Sequence, residues 1–313
     1  MWRLQRRVPG EEDTMSHSVV AGIDGSERSL AAVDWAAREA ALRGAPLRLV
    51  HASPPLPGPD VPVSAEETLR RIGERMLQRA VAELGHRHPD LTVRGEQAQD
   101  APAAALLAAA RDAGLLVVGA RGAGGFDGLA VGSVALRVAA AAVRPVAVVP
   151  QQPTGTSGTF AGAMRSRGGA APVVVGFDAH HPVGEAADFA FSAAEARGAP
   201  LWAVRAWALP ADSVSPRTLV VTEEDRATWE DQEVQQLSDA LRAWREKYPD
   251  VTVRSDVVLL HPAQALLNAS READLLVVGR RIDPQAAEGR LGPVTHAVLH
   301  HARCPVAVVP YAD

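Results

Sequence analysis

The sequence has a single cysteine, Cys304, and no apolar stretch long enough to cross a bilayer. A lone cysteine excludes a disulfide within the chain, and no segment has the apolar core of a signal peptide. The chain also lacks a basic stripe, because its 32 Lys and Arg residues are scattered among 37 Asp and Glu residues. This distribution argues against a nucleic-acid partner. We expect a cytoplasmic protein that binds neither nucleic acid nor a membrane.

The chain does contain a duplication. Val20–Asp24 is matched by Val174–Asp178 at an offset of 154 residues, and Pro145–Pro150 is matched by Pro305–Pro310 at an offset of 160. With 313 residues, of which 47% are hydrophobic, the chain is large enough for two cores. The two halves are therefore predicted to be one domain repeated in tandem.

The predicted boundaries follow changes in composition. Residues 1–15 are polar and lack periodicity, which predicts a disordered extension. The first domain is predicted over 16–152 and the second over 171–313, with a linker rich in small residues over 153–170. The change of offset predicts a net insertion of six residues within 200–249, after the second strand of the second domain.

Short apolar runs alternate with amphipathic segments in each half. Val19–Asp24 is almost continuously apolar, as in a parallel strand buried on both faces. Residues 27–43 have helical periodicity, with Ser26 as the N-cap and Gly44 at the position of a left-handed C-terminal cap. The alternation predicts an α/β fold of two tandem doubly wound parallel-sheet (Rossmann-like) domains. The other elements predicted for the first half are strands 47–52, 91–97, 115–119 and 146–149 and helices 65–86, 102–112 and 133–142.

A glycine loop follows the fourth predicted strand. Gly119 and Gly122 leave the backbone bare where it turns, and Gly132 and Ser133 open the next helix. Bare N–H groups, together with the amides of Ser133 and Val134 at a helix N-terminus, favour a phosphate group. The same residues also fit an ordinary turn in which Ser133 is only an N-cap. In a doubly wound sheet this loop lies at the point where strand order reverses, which is where ligands bind.

Asp24 stands at the end of the first predicted strand. Its carboxylate could accept a hydrogen bond from an adenine amino group or a ribose hydroxyl. It could equally form an Asx turn with the residues that follow. The sequence leaves both interpretations open.

The chain resembles the universal stress protein family, in the tandem two-domain form typical of actinobacteria. The resemblance runs through both halves and includes Val20–Ser26, Leu116–Gly122, Gly132–Val134 and Cys304–Val309. The pattern G-x2-G-x9-G-[S/T] is the ATP-binding signature of the family's nucleotide-binding branch. The resemblance implies that ATP binds with its adenine near the first two strands and its phosphates on the loop and the helix start. The residues implied to bind it are Gly22, Asp24, Val50, Gly119, Ala120, Arg121, Gly122, Gly132, Ser133 and Val134.

The second half carries the same pattern in altered form. Ile282 replaces the middle glycine, and Pro293 replaces the hydroxyl residue. Isoleucine adds a branched side chain where the backbone should approach phosphate, and proline has no N–H to donate. One lost charge-assisted donor costs on the order of 1.5–3 kcal/mol, roughly a factor of ten to a hundred in affinity. The resemblance therefore implies only a weak second site, at Gly176, Asp178, Val204, Gly279 and Gly292.

The resemblance thus implies a protein that binds ATP in its first domain and acts in stress response or signalling without efficient catalysis. A kinase or P-loop ATPase needs a loop lysine and metal-holding carboxylates, which neither Arg121 nor Asp127 clearly supplies. One alternative is an interaction module that works independently of nucleotide. Another is a slow ATPase, with Asp127 near a Mg²⁺ ion that accompanies ATP. Proteins of this family associate through the last strand of each domain, so a homodimer or an internal pseudo-dimer is expected.

A histidine cluster belongs to the last predicted helix of the second half. His296 and His300 have the i, i+4 spacing of a metal-binding pair, and His301 and Cys304 follow them. No acidic partner accompanies these residues, and a surface helix accounts for them. We therefore predict that the chain has no metal site.

Overall fold

The structure, a computed structural model, describes residues 18–53, 63–122, 130–150, 170–178, 184–208, 223–283 and 289–312. The chain divides into two compact units, Met1–Gln151 and Gln152–Asp313. The predicted extension 1–15, and the predicted linker 153–170 except for its last residue, lie outside the described residues. The extension, the linker and their boundaries therefore stay predictions.

The described part of the first unit forms a parallel sheet. Its strands are β1 (Val19–Gly22), β2 (Leu47–Ala52), β3 (Val93–Ala98), β4 (Leu115–Gly119) and β5 (Val146–Val149). They lie in the order β3-β2-β1-β4-β5, and every neighbouring pair is parallel. The central strands β1 and β4 are apolar and almost wholly buried, because helices cover both faces of such a sheet.

The helices described in the first unit connect these strands. They are α1 (Glu27–Leu42), α2 (Val63–Arg87), α3 (Pro102–Ala110) and α4 (Ser133–Ala141). From β1 to β3 the chain moves toward one edge of the sheet, and from β4 to β5 it moves toward the other. Right-handed crossovers therefore place α1 and α2 on one face and α3 and α4 on the opposite face. Consistent with this, α3 packs against α4. The doubly wound α/β fold predicted from the sequence is confirmed.

Helix α1 begins and ends as the sequence indicates. The Ser26 side chain accepts a hydrogen bond from the backbone N–H of Ser29 at 3.2 Å and so caps the helix. Gly44 follows the helix with a φ of +60°, in the left-handed region that glycine adopts without strain. Between these ends, Ala32, Val33, Ala36, Ala37 and Ala40 bury one face of the helix on the sheet.

The second unit repeats this arrangement in its described residues. Its strands are β6 (Val173–Gly176), β7 (Leu201–Trp207), β8 (Val253–Leu259), β9 (Leu275–Arg281) and β10 (Val306–Tyr311), in the order β8-β7-β6-β9-β10. Its helices are α5 (Gly184–Arg197), α6 (Glu223–Lys247), α7 (Pro262–Ala269) and α8 (Pro293–His301). Ala206 and Glu223 correspond to Ala52 and Val63 of the first unit. The segment between them, residues 207–222, is six residues longer than the corresponding segment 53–62. The predicted insertion therefore falls at the end of β7 and before α6. None of the described helices is both long and apolar enough to cross a membrane.

The left-handed residue after α1 should be important for stability. Gly44→Ala is expected to lower the free energy of unfolding by about 1–2 kcal/mol, the cost of a Cβ in that region. A matched control is Gly85→Ala, because Gly85 is exposed in α2 and a Cβ there would meet nothing within 4 Å. That change should instead stabilise the unit by about 0.5–1 kcal/mol. Urea denaturation followed by circular dichroism measures both, and equal effects in the two variants would contradict this account.

Candidate functional site

A cavity of about 340 Å³ lies at the carboxyl ends of β1, β2 and β4, where the strand order of the first unit reverses. Ala120, one of the ten predicted site residues, does not line this cavity; its side chain is buried, and its N–H donates to the Val149 carbonyl at 2.8 Å. The other nine do line it: Gly22, Asp24, Val50, Gly119, Arg121, Gly122, Gly132, Ser133 and Val134.

One end of the cavity is an apolar slot. A Cβ on Gly22 would lie 3.1 Å from a Leu106 methyl group and 3.6 Å from a Val118 methyl group, so the missing side chain lets α3 settle onto β1. Val50 completes the wall from β2. Apolar lining of this kind is typical of sites that bind small molecules. Leu106 and Val118 were not predicted as site residues, because an apolar residue beside a strand end looks like any other core residue in sequence.

Asp24 lies at the mouth of the same cavity and is exposed. Its Oδ1 accepts hydrogen bonds from the Ser26 backbone N–H at 3.0 Å and from the Ser26 hydroxyl at 2.6 Å. Asp24 therefore forms the Asx turn that starts α1, one of the two interpretations that the sequence left open. The carboxylate nevertheless faces the cavity, so a ligand can still approach it as a hydrogen-bond donor.

Both loop glycines have close neighbours within the protein. A Cβ on Gly122 would lie 2.5 Å from Oδ2 of Asp24, and a Cβ on Gly119 would lie 3.0 Å from the Arg28 carbonyl oxygen in α1. The sequence analysis attributed both glycines to the approach of a phosphate. In the structure their nearest neighbours are a carboxylate and a helix backbone, and these contacts hold the loop close to the end of β1.

Helix α4 begins directly beside the loop. Gly132 is the N-cap, without a side-chain cap, and Ser133 is the first helical residue. The interpretation of Ser133 as only an N-cap is therefore wrong. The Gly132 N–H donates to the Ala120 carbonyl at 2.7 Å and so ties the helix start to the loop. The amides of Ser133 and Val134 have no acceptor within the helix and lie at the cavity, as does the exposed Ser133 hydroxyl.

His51 also lines the cavity and was not predicted. Its Nδ1 lies 2.9 Å from the Ile23 carbonyl oxygen, which requires that Nδ1 carries the proton and donates it. The opposite edge of the ring lies against α2 at Gly73, where a Cβ would come within 2.5 Å of the His51 Cδ2. A lone histidine at a strand end gives no sequence pattern that would reveal such packing.

A second cavity, of about 300 Å³, occupies the corresponding place in the second unit. Four of the five residues predicted for the weak second site line it: Gly176, Asp178, Val204 and Gly279. The fifth, Gly292, does not, and a Cβ on it would meet no described atom within 4 Å. Among the described residues of the second unit, no close contact between helix start and loop is found at Gly292 like the one at Gly132.

The loop after the fourth strand has become part of the sheet in the second unit. Strand β9 continues to Arg281, two residues beyond Gly279, and pairs with β10 as far as Tyr311. The Ile282 N–H then donates to the Tyr311 carbonyl at 2.8 Å. The backbone N–H at the position of Gly122 is thus used inside the unit, and Pro293 opens α8 without any N–H.

In the second cavity an arginine, Arg205, is paired with Asp178, the counterpart of Asp24. Arg205 donates from one terminal guanidinium nitrogen to Asp178 at 2.8 Å and from Nε to Glu233 at 2.9 Å. At the offsets of the repeat, Arg205 takes the place of His51 and Glu233 takes the place of Gly73. Both members of a contacting pair have therefore changed together. We refer to Asp178, Arg205 and Glu233 as the arginine clamp.

The histidine cluster shows no metal-binding geometry. The rings of His296 and His300 stack with centroids 4.5 Å apart, and burial lowers the pKa of His300, as do His296 and His301. Burial also raises the pKa of the Cys304 thiol to about 12, with the charge of Asp274 adding to the effect. Among the described residues, no group of three or more His, Cys, Asp or Glu side chains could hold a metal ion. Asp127 lies outside the described residues.

Cys304 should be chemically inert in the folded chain, since the thiolate is the reactive form. At about pH 8 its raised pKa keeps the thiol protonated, and the side chain is buried. We expect no alkylation by iodoacetamide in the native state and full alkylation in guanidinium chloride, measured by mass spectrometry. Rapid labelling of the native chain would contradict the buried position.

Sequence comparison identifies the family of this fold. The family model described as "Universal stress protein family" matches residues 15–150 and again residues 170–310. The chain belongs to the universal stress protein family. Universal stress protein Rv1996 of Mycobacterium tuberculosis is 33% identical over 310 residues, which cover 93% of this chain and 94% of the relative. A universal stress protein of Mycolicibacterium smegmatis is 33% identical over 311 residues, which cover 95% of this chain and 98% of the relative.

A solved structure agrees on the fold. The crystal structure of a universal stress protein from Archaeoglobus fulgidus has a TM-score of 0.66 to this chain at 15% sequence identity. The match covers 94% of this chain and 98% of the other. At that identity the likeness concerns the α/β fold alone.

Proposed function

We propose that the chain is a cytoplasmic universal stress protein that binds ATP in the cavity of its first unit and acts in stress response or signalling without efficient catalysis. One observation carries this proposal: the glycine loop and the N-terminus of α4 line the same cavity as the apolar residues Gly22, Val50, Leu106 and Val118. A nucleotide has the same division, with a flat base at one end and an anionic phosphate chain at the other.

The phosphate end is supported by backbone donors. The N–H groups of Ser133 and Val134 lie at the positive end of the α4 dipole, and the Ser133 hydroxyl adds a third donor. Gly122 contributes bare backbone beside them, and Arg121 lines the cavity as the cationic residue. Backbone N–H groups of this kind bind phosphate without the lysine of a P-loop.

The base end is supported by the slot formed by Gly22, Val50, Leu106 and Val118. Asp24 stands between the slot and the loop, where its carboxylate can accept a hydrogen bond from a ribose hydroxyl or an adenine amino group. We therefore propose that the adenine lies at the strand ends and the phosphates at α4, in the order that the family signature implies.

Efficient catalysis is not part of the proposal. Among the cavity residues that the structure describes there is no lysine, and Asp24 is the single carboxylate. Phosphoryl transfer needs cations and metal-holding carboxylates around the transferred group. We therefore infer that ATP, with or without Mg²⁺, acts as a bound effector and that occupancy is the functional state. A homodimer or an internal pseudo-dimer through the last strands is part of the same proposal.

The direct test is nucleotide binding by the purified full chain. ATP should bind in calorimetry, and ATP or ADP should be released from the chain on denaturation and identified by mass. The proposal fails if neither nucleotide co-purifies and ATP does not bind at about 1 mM, which corresponds to only about 4 kcal/mol of binding free energy. That result would favour an interaction module that works without nucleotide.

Gly122→Ile copies the change of the second unit into the first. The new Cβ would lie 2.5 Å from the Asp24 carboxylate, so either that side chain or the loop must move, and both line the cavity. We expect ATP affinity to fall by roughly ten- to a hundredfold, the loss of one charge-assisted donor. The matched control is Ile282→Gly, which should leave the affinity of the first cavity unchanged. Unaltered ATP affinity in Gly122→Ile would refute the assigned role of the loop.

Two substitutions at Ser133 distinguish the contribution of its hydroxyl to phosphate binding from that of its backbone N–H. Ser133→Ala removes the hydroxyl only, and we expect ATP affinity to fall by roughly tenfold. Ser133→Pro removes the N–H as well but suits the first position of a helix, so a further fall of roughly tenfold is expected without loss of folding. Calorimetry on the three chains gives the order wild type, Ala, Pro. Equal affinities for the Ala and Pro variants would exclude the Ser133 amide from the site.

A further inference from the structure

The solvent-facing side of α2 is basic. Arg71, Arg75, Arg79 and His86 are exposed, and their spacing of four and seven residues places them on one face of the helix. Arg71 pairs with Glu67 at 2.9 Å. Among the residues that the structure describes, Arg75 and Arg79 have no carboxylate partner. The face therefore presents two guanidinium groups to solvent without an ion pair.

The corresponding face of α6 carries the opposite charge. The residues at the same repeat positions, 160 further along the chain, are Asp231, Gln235, Asp239 and Glu246. Asp231 and Glu246 are exposed and have no cationic partner in the described part of the chain, while Asp239 pairs with Arg242 in its own helix. Over its length α6 carries eight carboxylates and four basic side chains, so its outer face is negative.

Apolar side chains are exposed on the same two helices. Leu69 and Ile72 on α2 are 44% and 53% exposed, and Val234 on α6 is 49% exposed. A contact between two helices needs such side chains, since surface ion pairs alone contribute little. Each helix thus combines exposed apolar area with charge, and the sign of the charge differs between the two units.

The partner that fits α2 has separate carboxylates rather than a continuous anionic surface. Helix α2 carries five arginines and four glutamates, so its overall charge is too small to hold nucleic acid or an anionic membrane. A helix with carboxylates at matching intervals is complementary to its outer face. This chain itself contains such a helix in α6.

We propose that α2 of one copy of this chain binds α6 of a second copy through these two faces. The arginines of α2 lie against the carboxylates of α6, and Ile72 and Val234 are covered at the contact. The two faces differ, so the contact is heterologous, and every copy offers one face of each kind. A contact along single helices is small for a protein interface, so the association is weak and readily reversed.

This contact is distinct from association through the last strands. Helix α2 packs on β2 and β3, whereas β5 lies at the opposite edge of the first sheet. Helix α6 likewise packs on β7 and β8, and β10 lies at the opposite edge of the second sheet. Neither a dimer through the last strands nor ATP binding depends on the charges of α2 and α6, so this proposal can fail without the proposed function.

The test is sedimentation velocity of the full chain at protein concentrations up to about 0.3 mM. The salt concentration is raised from about 10 mM to about 1 M, which shortens the Debye length from about 30 Å to about 3 Å. The sedimentation coefficient should rise with protein concentration at low salt and should stop rising at high salt. A coefficient that does not depend on protein concentration at low salt overturns the proposal.

Charge reversal identifies the two faces. Arg75→Glu with Arg79→Glu, and separately Asp231→Arg with Glu246→Arg, should each weaken the association at least about tenfold, because attraction is replaced by repulsion. The chain with all four changes keeps the wild-type net charge of −5 and has complementary faces again, so its association should return. Mixing the two doubly substituted chains should also restore it, because the intact α6 of one meets the intact α2 of the other.

The matched control is Arg94→Glu with Arg137→Glu. It changes the net charge as much as the α2 variant does, but at exposed residues of β3 and α4, and should associate like the wild type. The proposal is overturned if this control loses association as the α2 variant does, or if neither the four-change chain nor the mixture regains it. Circular dichroism checks that each chain is folded, and the mixture decides the result if the four-change chain is not.

Discussion

A backbone N–H at the end of a buried strand must find an acceptor, and the two units of this chain meet that requirement in different ways. In the first unit, β4 stops at Gly119, and the chain turns away beside the start of α4. In the second unit, β9 runs on and the ladder with β10 takes up the N–H groups as far as Ile282. We expect the second unit to hold an anion less well for this reason, because the Ile282 N–H already pairs within the sheet and is not available to a ligand.

The two units also differ at the residue that follows Val50 and Val204 in each cavity. His51 lies against bare backbone at Gly73, whereas Arg205 needs the carboxylate of Glu233 to remain buried. A buried guanidinium is costly unless its donors are paired, and Arg205 is paired with both Asp178 and Glu233. The second unit is therefore not a damaged copy of the first. Its Ile282 N–H and its Arg205 guanidinium are both engaged by partners within the unit.

Much of this organisation could be predicted from sequence. The fixed offsets revealed the duplication, the alternation of apolar runs gave the doubly wound sheets, and Ser26 and Gly44 marked the ends of α1 through local chemistry alone. The contacts that define the site could not be predicted in this way. The approach of Arg28 to Gly119 depends on how a helix packs over a strand 91 residues further along the chain. The pairing of Arg205 with Glu233 depends likewise on tertiary packing, since a charged residue at a strand end has many candidate partners.

Asp24 has two neighbours that give it a further consequence. Its Oδ1 holds the first turn of α1 through Ser26, and its Oδ2 faces the loop at Gly122. A ligand that donates to Oδ1 would compete with Ser26 for that oxygen, and we expect such binding to loosen the start of α1. That helix begins on the protein surface, where Glu27 and Leu30 are exposed. The Asp24 side chain thus connects the cavity with an exposed face of the domain that is accessible to another molecule.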